Sequence, residues 1–443
     1  MASAIAAVAD RLFMPWVVVL LFGVGLLLTF RLRFVQVRRF GEALHEVVGR
    51  QSSDTAGALT PFQSFMTALA ASIGTGNIAG VATAIVSGGP GALFWIWCYG
   101  FVAMAIKFSE AVLGLKFRLA GAHGISSGPM YYLRDGLRSP WLAWTYALVA
   151  GVAALTTTPF TQTNSIAYVL NTELEVPTWI SGIVIAILTW LVIIGGLKSI
   201  GRAAERLSPL KVGLYLAGGL IVILTHLGEV PRVLAMVVRE AFSLQAATGS
   251  AAGVGVMVAI RYGLARGVYA NEAGYGTAAV AYGTAASRRP LQQGLNAIVE
   301  VFIVSFVTST ISALVILLTG AWQSGVTSSG AVAVAFEASM PVVGGWIVTF
   351  CVFLFGYTTL IGWAYYGEQF LEYLFGRSVA IPYRWIYCLL IPFGAITRVD
   401  VVWAWGDLMN ALQVFPNVVG LIGLSGLVAK VAAERTTSDQ PPA

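Results

Sequence analysis

The chain has 443 residues, of which 58% are hydrophobic and only 10% charged, and its mean hydropathy is +0.81. A soluble domain carries roughly 25% charged residues, so this composition excludes an ordinary soluble enzyme or binding module and points to an all-α polytopic membrane protein. The net charge of +6 records loop topology, because Lys and Arg form no dense patch of the kind a nucleic-acid surface needs.

In chain order, a first apolar run at 15–30 ends on Arg31, Arg33, Arg38 and Arg39, a cytoplasmic marker that puts the N-terminus outside. The first ten residues lack the basic start of a cleavable signal peptide. Residues 41–58 read as an amphipathic or loose cytoplasmic connection. A second run covers 60–87 and closes on the tight turn Gly88-Gly89-Pro90-Gly91. Spans follow at 92–117, 141–170, 178–197 and 209–226. Lys116, Arg118 and Arg134, then Lys198, Arg202 and Arg206, gather on one side, and Glu173, Glu175 and Glu229 mark the other. A seventh span is expected at 232–259, followed by a Gly-rich cytoplasmic segment containing Asn271 and Glu272. The last spans are expected at 295–319, 341–375, 385–396 and 401–429, before a polar tail. About eleven spans result, with the C-terminus cytoplasmic.

Two of these spans are interrupted by small residues. The second carries Gly74-Thr75-Gly76-Asn77 at its centre, and the seventh carries Ala246-Ala247-Thr248-Gly249-Ser250-Ala251-Ala252-Gly253. Glycine weakens a helix, and in lipid an unwound turn survives only where its polar groups face protein, ions or a cavity. With the first span set aside, the broken spans are the first and sixth of ten. They hold equivalent places in two halves of five, and an odd number of spans per half inverts one half relative to the other. That pattern points to a transporter site at mid-membrane. The division is then 1–40 for an extra N-terminal helix, 60–226 and 227–430 for the two repeats (core spans one to five and six to ten), and 431–443 for a cytoplasmic tail.

Particular residues carry a resemblance. The runs Pro61-Phe62-Gln63, Thr67–Ile85, Gly88–Trp95, Lys107–Ala111 and Gly128–Tyr132, then Asn164–Ala167, Arg266-Gly267, Asn271–Gly274 and Gly362–Glu368 are similar to the alanine/glycine:cation symporter family. They are spread from about 60 to 375. The resemblance implies a LeuT-type 5+5 inverted-repeat core with discontinuous helices plus one N-terminal helix. It also implies sodium-coupled uptake of alanine or glycine across a bacterial plasma (inner) membrane by alternating access, with no organic cofactor.

Site residues are assigned on that basis. The N–H groups around Gly74, Thr75 and Gly76 would bind a carboxylate, with Asn77 orienting it or helping to hold the cation. Carbonyls at the second break, Ala247, Thr248 and Gly249, would accept from the substrate ammonium. Phe160 and Gln162 lie near an expected pocket amide, beside Asn164; interhelical bonding is the alternative for these side chains. Trp363 either closes a small pocket or simply packs. For sodium, the resemblance suggests the carbonyls of Ala70, Ile73 and Phe355 and the hydroxyls of Thr358 and Thr359. The alternative for both threonines is back-bonding one turn earlier along their own helix.

Lys107 and Glu110 can pair on one helix face. Glu300 is an intramembrane carboxylate, one turn before Val304, where the family pattern carries an acid; it opens a proton-coupled reading. Cys98, Cys351 and Cys388 sit in apolar runs, and His45, His123 and His226 lack ligand spacing. No nucleophile–base or metal constellation appears, which argues against an enzyme, and no charged ring marks a channel. A substrate sensor of the same fold remains an alternative to a carrier. The expected partners are an amino acid and membrane lipid, not nucleic acid.

Overall fold

The computed structural model describes residues 16–49, 59–121, 124–243 and 255–434. Helices make up nearly all of it. The first half holds α1 (Val18–Arg31), α2 (Phe40–Val48), α3 (Pro61–Ser72), α4 (Ala79–Gly88), α5 (Ala92–Lys116), α6 (Pro140–Thr156), α7 (Thr158–Leu174), α8 (Thr178–Ile193) and α9 (Gly196–Thr225). The second half holds α10 (Val230–Ala241), α11 (Gly255–Asn271), α12 (Thr277–Gly283), α13 (Pro290–Phe302), α14 (Ser309–Leu318), α15 (Ser328–Ser339), α16 (Val343–Phe375), α17 (Ala380–Ile396) and α18 (Val399–Ala432). A short antiparallel pair, β1 (Leu119–Gly121) and β2 (Gly124–Ser126), follows α5.

Among the described residues, seven helical stretches are long and apolar enough to cross a membrane, and a bent pair makes an eighth. The chain is an integral membrane protein. Two shorter apolar helices, α1 and α8, stand beside these stretches. The span expected at 232–259, however, is not one continuous helix: α10 ends at Ala241 and α11 begins at Gly255. Residues 230–241 form a separate amphipathic helix, α10, which buries Val233, Val237 and Ala241 and exposes Arg232 and Arg239. Its apolar stripe recurs every four residues, so it lies along a surface. The small-residue run 246–253 lies outside the described residues.

The first break has clear causes. Thr60 and Gln63 form a reciprocal cap at the start of α3 (3.1 and 3.2 Å), with Pro61 as its first residue. The helix stops after Ser72, where Ile73 and Gly74 leave helical geometry. A single 3-10 turn, Thr75–Asn77, precedes α4, and the two halves are bent by 62°.

A second break separates α11 from α12. Glu272, Gly274 and Gly276 adopt positive φ of 55°, 95° and 85°. A Cβ on Gly276 would also fall 2.3 Å from the Pro129 ring, so only glycine fits. The two interrupted pairs are α3–α4 and α11–α12.

The interior is organised around α5 and α16. The chain of α12 lies directly on α5, where a Cβ on Gly114 would come 2.3 Å from the Ala279 carbonyl oxygen. The helix α16 packs between α6, α7, α9 and α3. By contrast, α8 and α17 expose Trp179, Ile187, Leu191, Leu389 and Phe393, which suits a lipid-facing pair.

Gly114→Val should therefore force α12 off α5. Overpacking of this kind costs about 1–3 kcal/mol or more. The expected result is a thermal midpoint several degrees lower in detergent (about 2–4 °C per kcal/mol for a chain of 150–250 residues), while Gly213→Val, at a position with nothing near its Cβ, serves as control. Equal midpoints for the two variants would contradict this packing.

Candidate functional site

Both breaks border one cavity. Ala71, Ser72, Gly74 and Gly76 come from the first break, and Tyr269, Glu272 and Tyr275 from the second. Thr157, Thr158 and Gln162 are supplied by the α6–α7 junction, Thr359 and Trp363 by α16, and Asn410 by α18. The cavity is small, about 20 Å³, room for about one ordered water.

Hydrogen bonds fix its walls. Thr75 donates from its backbone N–H (3.1 Å) and its hydroxyl (2.9 Å) to Oε1 of Gln162. The N–H groups of Asn77 and Ile78 close the 3-10 turn on the carbonyls of Gly74 and Thr75. Gly76, in the middle of this turn, lines the cavity. Opposite stands Glu272, the acidic side chain lining the cavity. Its Oε1 accepts from the Trp363 indole at 2.7 Å and its Oε2 from the Thr277 hydroxyl at 3.1 Å.

The sequence-assigned residues separate into three groups. Gly74, Gly76, Gln162, Thr359 and Trp363 line the cavity, with Thr75 braced just behind. Asn77 does not line it. Its amide donates to the Ser72 carbonyl across the break (2.9 Å) and its own carbonyl accepts from Ser312 (2.8 Å), while Oδ1 is buried with no partner. Phe160 is also absent from the lining. The backbone of Pro159 and Phe160 packs on Gly394 of α17, and Thr157 and Thr158 take the cavity-facing place. Ala247, Thr248 and Gly249 lie outside the described residues. The unwound segment that faces the first break is Glu272–Gly276, a stretch expected from sequence to be cytoplasmic.

The oxygens assigned to sodium are engaged otherwise. Lys211 Nζ donates to the carbonyls of Ala70 (3.0 Å) and Ile73 (2.5 Å) and to the Thr358 hydroxyl (2.6 Å). The Phe355 carbonyl accepts from Thr358 at 3.1 Å, the back-bond weighed as the alternative, and Thr359 reaches across to the carbonyls of Ala70 and Ala71 (3.2 and 2.9 Å). Of the expected ion shell of Ala70, Ile73, Phe355, Thr358 and Thr359, the oxygens of Ala70, Ile73 and Thr358 meet a side-chain ammonium. The signal was available, since a lysine in an apolar span is a functional candidate. Starting that span at Pro209 placed Lys211 at its end, whereas α9 begins at Gly196 and Lys211 sits in its middle, fully buried.

The buried charges also pair differently from expectation. Lys107 contacts Glu300, not Glu110, and both residues of the pair are buried. Ser72 joins them, accepting from Lys107 at 2.7 Å and donating to Glu300 at 2.5 Å, and Tyr282 donates to the other oxygen at 2.9 Å. Glu110 instead accepts from the N–H groups of Gly274 (2.9 Å) and Gly276 (3.0 Å) and from the Asn417 amide (2.8 Å). Asn271 is locked to Ser305, in the π-type turn Ile303–Thr308 between α13 and α14.

Residues 1–440 match the sodium:alanine symporter family. The chain belongs to this family. It is 38% identical to the sodium/alanine symporter AgcS of Methanococcus maripaludis, over 94% of this chain and 92% of the relative. It is 32% identical to a probable sodium/glutamine symporter, GlnT, of Bacillus subtilis, over 95% and 87%. Among solved structures, a manganese transporter of Eremococcus coleocola superposes with a TM-score of 0.53 at 17% identity, covering 81% of this chain and 76% of that one. The fold is therefore LeuT-type, and the protein is a membrane transporter, not an enzyme.

Breaking the Lys107–Glu300 pair from one side leaves a buried charge alone, which costs about 3–5 kcal/mol. Lys107→Met and Glu300→Gln should each lower the thermal midpoint strongly, and the double variant should recover much of the loss. Additive losses in the double variant would show that the pair is not a unit.

Proposed function

We propose that the protein carries alanine or glycine into the cell together with sodium, by alternating access, across a bacterial inner membrane with the N-terminus outside and the C-terminus cytoplasmic. The observation that carries this reading is the pairing, around one small cavity, of the unwound backbone at Gly76 with a carboxylate at Glu272. An amino acid is a zwitterion, and these two groups are complementary to its two ends. The N-terminal end of α4 adds a favourable dipole for the substrate carboxylate. Glu272 takes the role first assigned to carbonyls of the second break, as partner of the ammonium.

The walls limit the side chain. Trp363 is held by Glu272, and Gln162 is held by Thr75, so neither can swing away without losing a buried bond. With room for about one water, the cavity has to widen to take even alanine, and branched chains would overpack it further. For the coupling ion, the unsatisfied Oδ1 of Asn77 in the break is the hard oxygen that this reading assigns to sodium. Glu300 is committed to Lys107, Ser72 and Tyr282, which argues against a freely exchanging proton there.

The test is uptake of labelled alanine into proteoliposomes under an inward Na⁺ gradient compared with an inward H⁺ gradient. Sodium-driven accumulation is expected, with glycine competing and leucine not. Glu272→Gln should cut uptake by roughly tenfold or more, the loss typical of a charged binding contact. Asn77→Ala should abolish sodium-driven uptake while expression stays intact. Accumulation driven by H⁺ alone, or unchanged uptake in either variant, would overturn the assignment.

A further inference from the structure

The oxygens freed where α3 stops are just those that suit a small cation. Ala70 and Ile73 lie at the C-terminal end of a half-helix, where carbonyls lack intrahelical partners and the helix dipole is negative. Lys211 meets them together with Thr358 of α16. The Thr358 hydroxyl spends its own proton on the Phe355 carbonyl, so towards Lys211 it can only accept. Nζ therefore faces three acceptors. An ammonium has three N–H donors and a neutral amine has two, so the geometry matches the charged form. No carboxylate pairs with Lys211 among the ion pairs of the described residues. Its compensation is the half-helix end and the Phe355 ring, whose centroid is 5.3 Å away.

We propose that Lys211 is a tethered cation, taking at the joint between α3, α9 and α16 the place a mobile sodium ion would otherwise fill. A residue in α9 thereby fastens the break of the first core span to core span eight without any ion from solution. Sodium acts elsewhere, and the joint stays closed whatever the sodium concentration. This second half rests on the transport reading above; the first half does not.

Two measurements test it. Thermal stability of the purified full-length protein is followed in NaCl, in methylammonium chloride and in N-methylglucamine chloride at equal ionic strength. Lys211→Ala should show a lower midpoint, with a saturable recovery in sodium or methylammonium larger than any shift of the wild-type protein. The excess should vanish in Lys211→Ala/Thr358→Val. A recovery no larger than that of the wild type, or one that persists without the Thr358 hydroxyl, overturns the proposal.

The second measurement uses the milder Thr358→Val alone, in case Lys211→Ala does not fold. Whatever it does to the maximal rate, its sodium half-saturation for alanine uptake should stay within about twofold of wild type, since no contact to sodium is lost. A rise of about tenfold or more, the loss of roughly 1.4 kcal/mol of ion binding, would put sodium in the joint and overturn the proposal. If wild-type protein shows no sodium-driven uptake at all, the transport reading fails, and the stability series still decides the role of Lys211.

Discussion

A backbone broken inside a membrane must have every exposed N–H and C=O met by protein, ligand or water, because lipid offers none. Much of the interior of this protein follows from that requirement. At the first break the carbonyl end is met by the ammonium of Lys211 and the hydroxyl of Thr359. At the second break the N–H groups of Gly274 and Gly276 are met by the carboxylate of Glu110. A cation serves freed carbonyls in one half, and an anion serves freed N–H groups in the other. Each charge comes from an intact helix, α9 or α5, packed alongside the break. The break geometry is thus set by neighbouring helices and not by the glycines alone.

The same logic explains the charges elsewhere in the core. Lys107 and Glu300 link α5 to α13, and Ser72, the last residue of α3, sits between them. A buried pair of this kind contributes little net stability compared with apolar packing. What it offers is register: Ser72 can satisfy both partners only when α3 ends at that height. One turn beyond Glu300, the helix widens at Ile303–Thr308, and Ser305 bonds Asn271, where α11 stops. The continuous helix from 290 to 318 therefore touches the ends of both broken helices. A rigid element in contact with two breaks is a means of keeping them aligned.

Hydropathy and glycine placement made the first break legible, and the motif similarity added the LeuT-type order of helices and pointed to Gln162, Thr359 and Trp363, which line the cavity. The second break was harder to see. Residues 271–283 contain Asn, Glu and several glycines, which average to a polar loop, yet the amide and the carboxylate are satisfied inside: Asn271 by Ser305, Glu272 by Trp363 and Thr277. A sliding window sees composition and not partners. Lys211 was obscured by a different cause. Pro209 looked like a span boundary, but α9 runs through it, and that places the lysine half-way along a helix. The mispairing of Lys107 has a similar origin, since spacing along α5 favours Glu110 while the tertiary fold brings Glu300 closer.

These partnerships converge on α16. Thr358, Thr359 and Trp363 lie within six consecutive residues of that helix, and Thr359 and Trp363, four apart, share a face. Thr358 meets Lys211, Thr359 meets the end of α3, and Trp363 meets Glu272. Under the proposed reading, a substrate ammonium approaching Glu272 competes with the Trp363 indole for the same carboxylate oxygen. Any shift of Trp363 is then felt one turn away at the α3–α16 joint. Coupling needs only that the substrate favour one arrangement of this helix over another. If the joint is held by a tethered ammonium, its closure is a constant of the structure, and the difference between arrangements must arise on the Glu272 side of the cavity, where the ligands differ.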